Sequence, residues 1–219
     1  MAKKKEEPVK RIEDESELDG LDLVSDLLCG DKEIEAISAN DVEAVDPSKM
    51  ISTGLIPLDM AFGGGITRGR TYEISGPESH GKSTLCDSVV ASWLKTNKHA
   101  LCLRIESEST MDKIRCKMIG IDLNRVIVFE TAIMEEGYDQ IAKVQNKVYE
   151  KYGDKVPLLI VWDTLTAAGP RQEMESDDVY GSGMMLNARI NSRELRKLNY
   201  RCAQFGHSAI IIQQVREAG

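Results

Sequence analysis

The stretch Ile74-Ser75-Gly76-Pro77-Glu78-Ser79-His80-Gly81-Lys82-Ser83-Thr84 satisfies G-x-x-x-x-G-K-[ST] at every fixed position. Residues of these types at this spacing wrap a row of phosphates. Gly76 and Gly81 let the backbone bend so that several N–H groups aim at one anion. A helix that begins where the loop ends adds its partial positive charge. The Lys82 ammonium would reach the β- and γ-phosphates, and the Ser83 hydroxyl would hold Mg²⁺. A glycine-rich turn with a chance lysine would look the same in isolation. The flanks argue against it: Tyr72–Ile74 is an apolar strand that delivers the loop, and Leu85–Leu94 has apolar residues at helical spacing.

Two further groups of acids stand where such a loop needs them. Leu158-Leu159-Ile160-Val161-Trp162-Asp163 is an apolar strand ending in a carboxylate, about 80 residues downstream of the loop. Asp163 would sit at the C-terminal edge of a sheet, beside the loop, and hold the hydration shell of Mg²⁺. Thr164 could bond to the same water shell. Glu106 and Glu108 end the strand that follows the loop helix, and either carboxylate could activate an attacking water. The bland alternative is two solvated acids at a strand end.

The elements that must position these groups alternate along the chain. Ile51–Gly54 and Gly63–Gly65 are expected as turns flanking a short helix. Strands are predicted at His99–Ile105, Val126–Glu130, Pro157–Asp163 and Ala209–Gln213, with helices at Met111–Ile119, Glu135–Tyr152 and Met184–Gln204. Continuous apolar runs such as Leu158–Trp162 suit strands buried on both faces. The fold class that follows is α/β, a mostly parallel sheet covered by helices on both faces.

Charge divides the chain. Met1–Asp46 carries 6 Lys and Arg against 15 Asp and Glu, a net of −9; the whole chain carries −8, so residues 47–219 carry +1. The domain reading is an acidic segment 1–46, disordered over Met1–Asp19 with a short amphipathic helix through Leu21, Val24, Leu27 and Leu28, then a core 47–219. A neighbouring subunit is expected to cover that helix's apolar face. The near-neutral core is not electrostatically hostile to nucleic acid. Met1–Arg11 does not read as a secretory signal, and no apolar run approaches the roughly 20 residues of a membrane helix. Cys29, Cys86, Cys102, Cys116 and Cys202 are scattered, without a C-x-x-C pair, and read as small core residues of a reducing compartment. The expected localisation is cytoplasmic.

Ile51-Ser-Thr-Gly54, Leu58-Asp59, Gly69-Arg70, the loop Gly76–Thr84, Glu106-Ser-Glu108, Asp112, Gly120-Ile-Asp122, the strand ending in Asp163, Arg196-Lys197-Leu198 and Gln213-Gln214-Val215-Arg216 follow one another in an order that resembles the bacterial RecA recombinase core. The resemblance runs from about Met50 to Gly219. It implies a P-loop NTPase of RecA type that takes ATP and Mg²⁺, forms a filament on single-stranded DNA, and pairs and exchanges strands with double-stranded DNA in recombination and repair. Residue by residue, it implies that Gly76, Pro77, Glu78, Ser79, His80, Gly81, Lys82, Ser83 and Thr84 cradle phosphate and magnesium. Asp163 matches the acid at the metal, Glu108 the general base, and Gln214 the glutamine that senses the γ-phosphate. Asp112 matches an adenine contact, with Arg115 where an aromatic ring usually stacks on the base. Glu175–Met184 matches the first DNA loop, with Met184 as a wedge between bases; Arg189, Ser192 and Arg196 match DNA-backbone contacts. Arg189, Arg193 and Lys197 form a cationic stripe at i, i+4 and i+8.

The chain departs from the pattern in places. His80 replaces a small residue of the loop and could crowd the phosphates or add a titratable donor. Arg115 could stack through its guanidinium plane. Asp177 and Asp178 would repel phosphate from the first DNA loop. The family continues past the position of Gly219 into a second DNA loop, further strands and a C-terminal domain, so the resemblance implies that the core is incomplete, or completed by a second polypeptide, and that Ala209–Ile212 is an uncovered edge prone to pairing or aggregation. The alternative is an ATP-binding module without strand exchange. A small-molecule kinase fits less well, because Glu108 and Gln214 belong to the recombinase pattern.

Overall fold

A computed structural model describes residue 39, residues 49–175 and residues 183–215. The expected disordered tail, the helix through Leu21–Leu28, Cys29, and Asp177 and Asp178 lie outside the described residues.

The elements are β1 (Met50–Ile51), α1 (Ile56–Ala61), β2 (Ile66–Thr67), β3 (Thr71–Gly76), α2 (Lys82–Thr96), β4 (Leu101–Glu106), α3 (Lys113–Ile119), β5 (Val126–Glu130), α4 (Met134–Tyr152), β6 (Leu158–Asp163), α5 (Arg171–Met174), α6 (Gly183–Phe205) and β7 (Ser208–Gln214). The strands and helices predicted within the described residues are all present, most with ends displaced by a residue or two. The first helical turn is cut back where Asp112 caps α3, its carboxylate accepting from the N–H groups of Ile114 and Arg115. The Ser-Thr-Gly turn is pinned by Asp59 of α1, whose carboxylate accepts from Thr53 N, Thr53 Oγ1 and Ser52 Oγ at 2.6–2.7 Å. Those bonds, the Ser52 hydroxyl foremost, hold Asp59 below the usual carboxylate range.

The main sheet has five strands in the order β3-β7-β6-β4-β5, every pair parallel. β6 lies near its middle and is buried at every position. Its alternate residues face two apolar layers. Leu159 and Val161 pack with Cys86, Val89, Trp93 and Leu94 of α2. Leu158, Ile160 and Trp162 pack with Tyr138 and Ile141 of α4 and Leu198 and Cys202 of α6. A sheet covered on both faces favours apolar residues along its middle strand, which is why the run Leu158–Trp162 is unbroken.

One expectation fails here. Ala209–Ile212 is not an uncovered edge: β7 pairs with β3 on one side and β6 on the other. The crossover through α6 returns the chain into the gap between them, so the last described strand is interior. Among the described residues, the sheet edges are β3 and β5. Cys86, Cys102, Cys116 and Cys202 are buried free thiols, as the small-core-residue reading expected. No helix among the described residues is long and apolar enough to cross a membrane.

Candidate functional site

Parallel strands all end at one edge, and the loop between β3 and α2 lies there. Gly81 is left-handed at φ 81° and caps α2, a conformation that favours glycine. Lys82 folds back so that its Nζ donates to Pro77 O at 2.6 Å. His80 bonds through Nδ1 to Glu78 O at 2.6 Å, which turns the ring onto the loop's own backbone. A cavity of about 310 Å³ opens beside the loop; Lys82, Ser83, Thr84, Glu108, Asp112, Arg115, Thr164 and Gln214 all line it. The fold thus gathers residues from four strand ends around one anion-sized space.

Glu106 and Glu108 part company. Glu108 Oε1 accepts from Gln214 Nε2 at 2.8 Å and from Thr164 Oγ1 at 3.0 Å, on the cavity wall. Glu106 is buried against Arg104 Nε, and its Oε2 has no partner. Burial raises the Glu106 carboxyl above its ordinary range against the pull of Arg104. Gln214 is steadied in turn, its N–H donating to Thr166 Oγ1 at 2.9 Å.

Asp163 pairs in register with Glu106 across β6 and β4. It is buried, and its Oδ2 accepts from Arg104 Nη2 at 3.0 Å. Trp162 anchors the same strand end: its Nε1 donates to Ser107 Oγ at 2.9 Å, and Tyr138 meets its ring edge-on at 4.8 Å. Gly137 leaves the room, since a Cβ there would lie 2.5 Å from Trp162 Cη2.

The profile of the RecA N-terminal domain family matches residues 28–218. The chain belongs to the RecA family. It is 35% identical over 188 residues to Protein RecA of Sulfurovum sp. (strain NBC37-1), covering 85% of this chain and 48% of the relative. It is 34% identical over 171 residues to Protein RecA of Deinococcus radiodurans, covering 77% and 44%. With Protein RecA of Bifidobacterium breve it shares 35% over 176 residues, covering 80% and 42%. The chain spans about half the length of the curated relatives it matches. Nothing among these relatives supports a second polypeptide that completes the core.

The positions carried over from the RecA pattern fall into three groups. The loop, Glu108, Gln214, Asp112 and Arg115 meet at the cavity. Arg115 does not extend freely over it: its Nη2 donates to Thr84 Oγ1 at 2.8 Å and to Asp87 Oδ2 at 2.9 Å. Asp112 spends its Oδ1 on capping α3. The second group is Asp163, which does not line the cavity itself but is held by Arg104, which does. The third lies on α6. Met184 falls in its first turn, and Arg189, Ser192 and Arg196 are exposed at helical spacing, with Arg196 Nε donating to Ser192 O at 2.8 Å. The cationic stripe is weaker than its spacing suggests, because Glu194 takes Arg193 Nε at 2.8 Å and Lys197 Nζ at 2.9 Å.

The donor set suits Mg²⁺. Ser83 Oγ and the Asp163 carboxylate are hard oxygen donors, and the ion takes its remaining positions from phosphate and water. Among the described residues no cluster of three or more His, Cys, Asp or Glu side chains is arranged to hold a metal alone. Glu106 and Asp163 both pair with the single Arg104 guanidinium, so negative charge exceeds positive beside Asp163, which favours a cation there. Bound Mg²⁺ would supply charge neutralisation between the phosphates.

Two residues central to the site escaped sequence reasoning: Arg104 and Asp87. A signal was available. Each is a charge at a position where its element otherwise faces the core, Arg104 in Leu101–Ile105 and Asp87 in the buried stripe of α2.

Proposed function

We propose that the chain is the ATPase core of an ATP-dependent DNA recombinase, residues 47–219, following an acidic segment 1–46. In this reading Gly76–Thr84 holds the phosphates of ATP, Ser83 and Asp163 hold Mg²⁺, and Glu108 takes a proton from the attacking water. Gln214 senses the γ-phosphate through the carboxylate it already contacts. Filaments of the protein bind single-stranded DNA through Met184, Arg189, Ser192 and Arg196 and pair it with double-stranded DNA. The protein acts in the cytoplasm, in recombination and repair.

The observation that carries this reading is the Gln214–Glu108–Thr164 group on the wall of the phosphate-loop cavity. A carboxylate held by two donors in front of a phosphate site is oriented for proton abstraction. DNA-stimulated ATP hydrolysis tests it. Glu108→Gln is expected to cut turnover by about 10²-fold or more while ATP still binds. A larger loss from Glu106→Gln would move the base to Glu106.

A second reading, an ATP-binding module that does not exchange strands, draws on the pairing of Arg193 and Lys197 with Glu194. A three-strand exchange assay separates the two, since the module would hydrolyse ATP and leave the strands unexchanged.

A further inference from the structure

Arg104 is buried at the centre of the sheet, and its three nitrogens go to three carboxylates from three elements. Nε donates to Glu106 on β4, Nη1 to Asp87 on α2, and Nη2 to Asp163 Oδ2 on β6 at 3.0 Å. The second oxygen of Asp87 takes Arg115 Nη2 from α3 at 2.9 Å, and that nitrogen also donates to Thr84 Oγ1 at 2.8 Å. A run of charge-assisted bonds therefore connects Asp163, Arg104, Asp87, Arg115 and Thr84. Burial by itself would depress the Arg104 guanidinium, but Glu106 and Asp87 outweigh it and push it up, so the fork stays charged.

We propose that Arg104 is a positioning residue of the nucleotide site: it aims Asp163 at the Mg²⁺ shell, braced from α2 by Asp87 and from α3 by Arg115. The inference rests on the Mg–ATP reading of the cavity. A planar guanidinium fixes the direction of each carboxylate it grips, which a point charge does not. Arg104 takes only Oδ2 of Asp163, so Oδ1 is left to the ion's water shell. Three carboxylates face two guanidiniums in the cluster, and Glu106 Oε2 is buried without a partner. A cation beside Asp163 would offset that excess. The network also ends on Thr84 and Arg115, which line the cavity rather than the core.

The test uses the full chain and Arg104→Lys, which keeps the charge and loses the fork. ATP binding is followed by calorimetry across a Mg²⁺ titration and again in excess EDTA. Outer partners of metal-binding carboxylates typically set affinity by about 10–100-fold. The Mg²⁺ concentration for half-maximal ATP binding is expected to rise about tenfold or more, with binding in EDTA within about twofold of wild type. A purely structural role would move both together or neither. Should Arg104→Lys not fold, Asp87→Asn, which keeps the side chain's shape, releases one end of the fork and is expected to raise the Mg²⁺ requirement in the same direction. A folded variant with the wild-type Mg²⁺ requirement overturns the inference alone. A wild-type chain that binds no Mg–ATP overturns the reading beneath it, and this inference with it.

Discussion

Glu106 and Glu108 differ by two positions, and a strand's alternation would put them on the same side. The chain leaves β4 after Glu106, so the alternation ends there, and Glu108 reaches the cavity while Glu106 stays in the core. Residue types and spacing named both candidates; their separation depends on Arg104, Thr164 and Gln214, which reach them from distant parts of the chain. The bond from Gln214 Nε2 is the contact most open to test. Gln214→Ala is expected to lower DNA-stimulated turnover by about tenfold or more and to leave ATP affinity within about threefold. Unchanged turnover in steady-state assays would mean that the contact does not orient the base.

At the scale of elements, long apolar runs and helical spacing made the strands and helices legible, because burial of a strand on two faces leaves an unbroken run and burial of one helix face leaves a period. Spatial order leaves none. The placing of β7 between β3 and β6 is a property of the α6 crossover, so the edge expected at Ala209–Ile212 was wrong although the strand itself was right. The charge of Arg104 in an apolar strand was visible, but its role was not, for a related reason: its partners Asp87 and Asp163 lie 17 and 59 residues away. Two predictions belong here. Gly137 on α4 admits Trp162 beneath it, so Gly137→Ala forces the ring or the helix to shift and is expected to cost about 1–3 kcal/mol in urea unfolding. The second concerns His207 at the entry to β7. Its ring is fully buried with neither nitrogen partnered; burial, then Arg68, pushes it down to about 4. The folded state therefore prefers the neutral ring. Its contribution is complete above the ordinary histidine pKa of about 6.5, and is lost as pH falls from there toward 4, because the unfolded chain binds the proton first. Between pH 7 and 5 the loss is about 2 kcal/mol. His207→Leu should remove that part of the slope in denaturant titrations; an unaltered slope would mean that the ring does not titrate this way.

For the whole molecule, one edge of the sheet carries the chemistry and α6 leads away from it with the exposed Arg189 and Arg196. A backbone-tracking surface binds single-stranded DNA with a salt slope of about 0.7 per neutralised phosphate. Arg189→Ala is expected to lower that slope by about one contact, and Arg193→Ala by less, because Glu194 already holds Arg193. Wild-type slopes for both variants in fluorescence anisotropy would take α6 out of the DNA interface. The claim on which everything else depends is that the cavity beside Gly76–Thr84 is a Mg–ATP site. Calorimetric titration of Mg–ATP into the wild-type chain and into Lys82→Ala tests it directly. Binding to the wild type with loss in the variant is the predicted result; equal affinity in the two would contradict it.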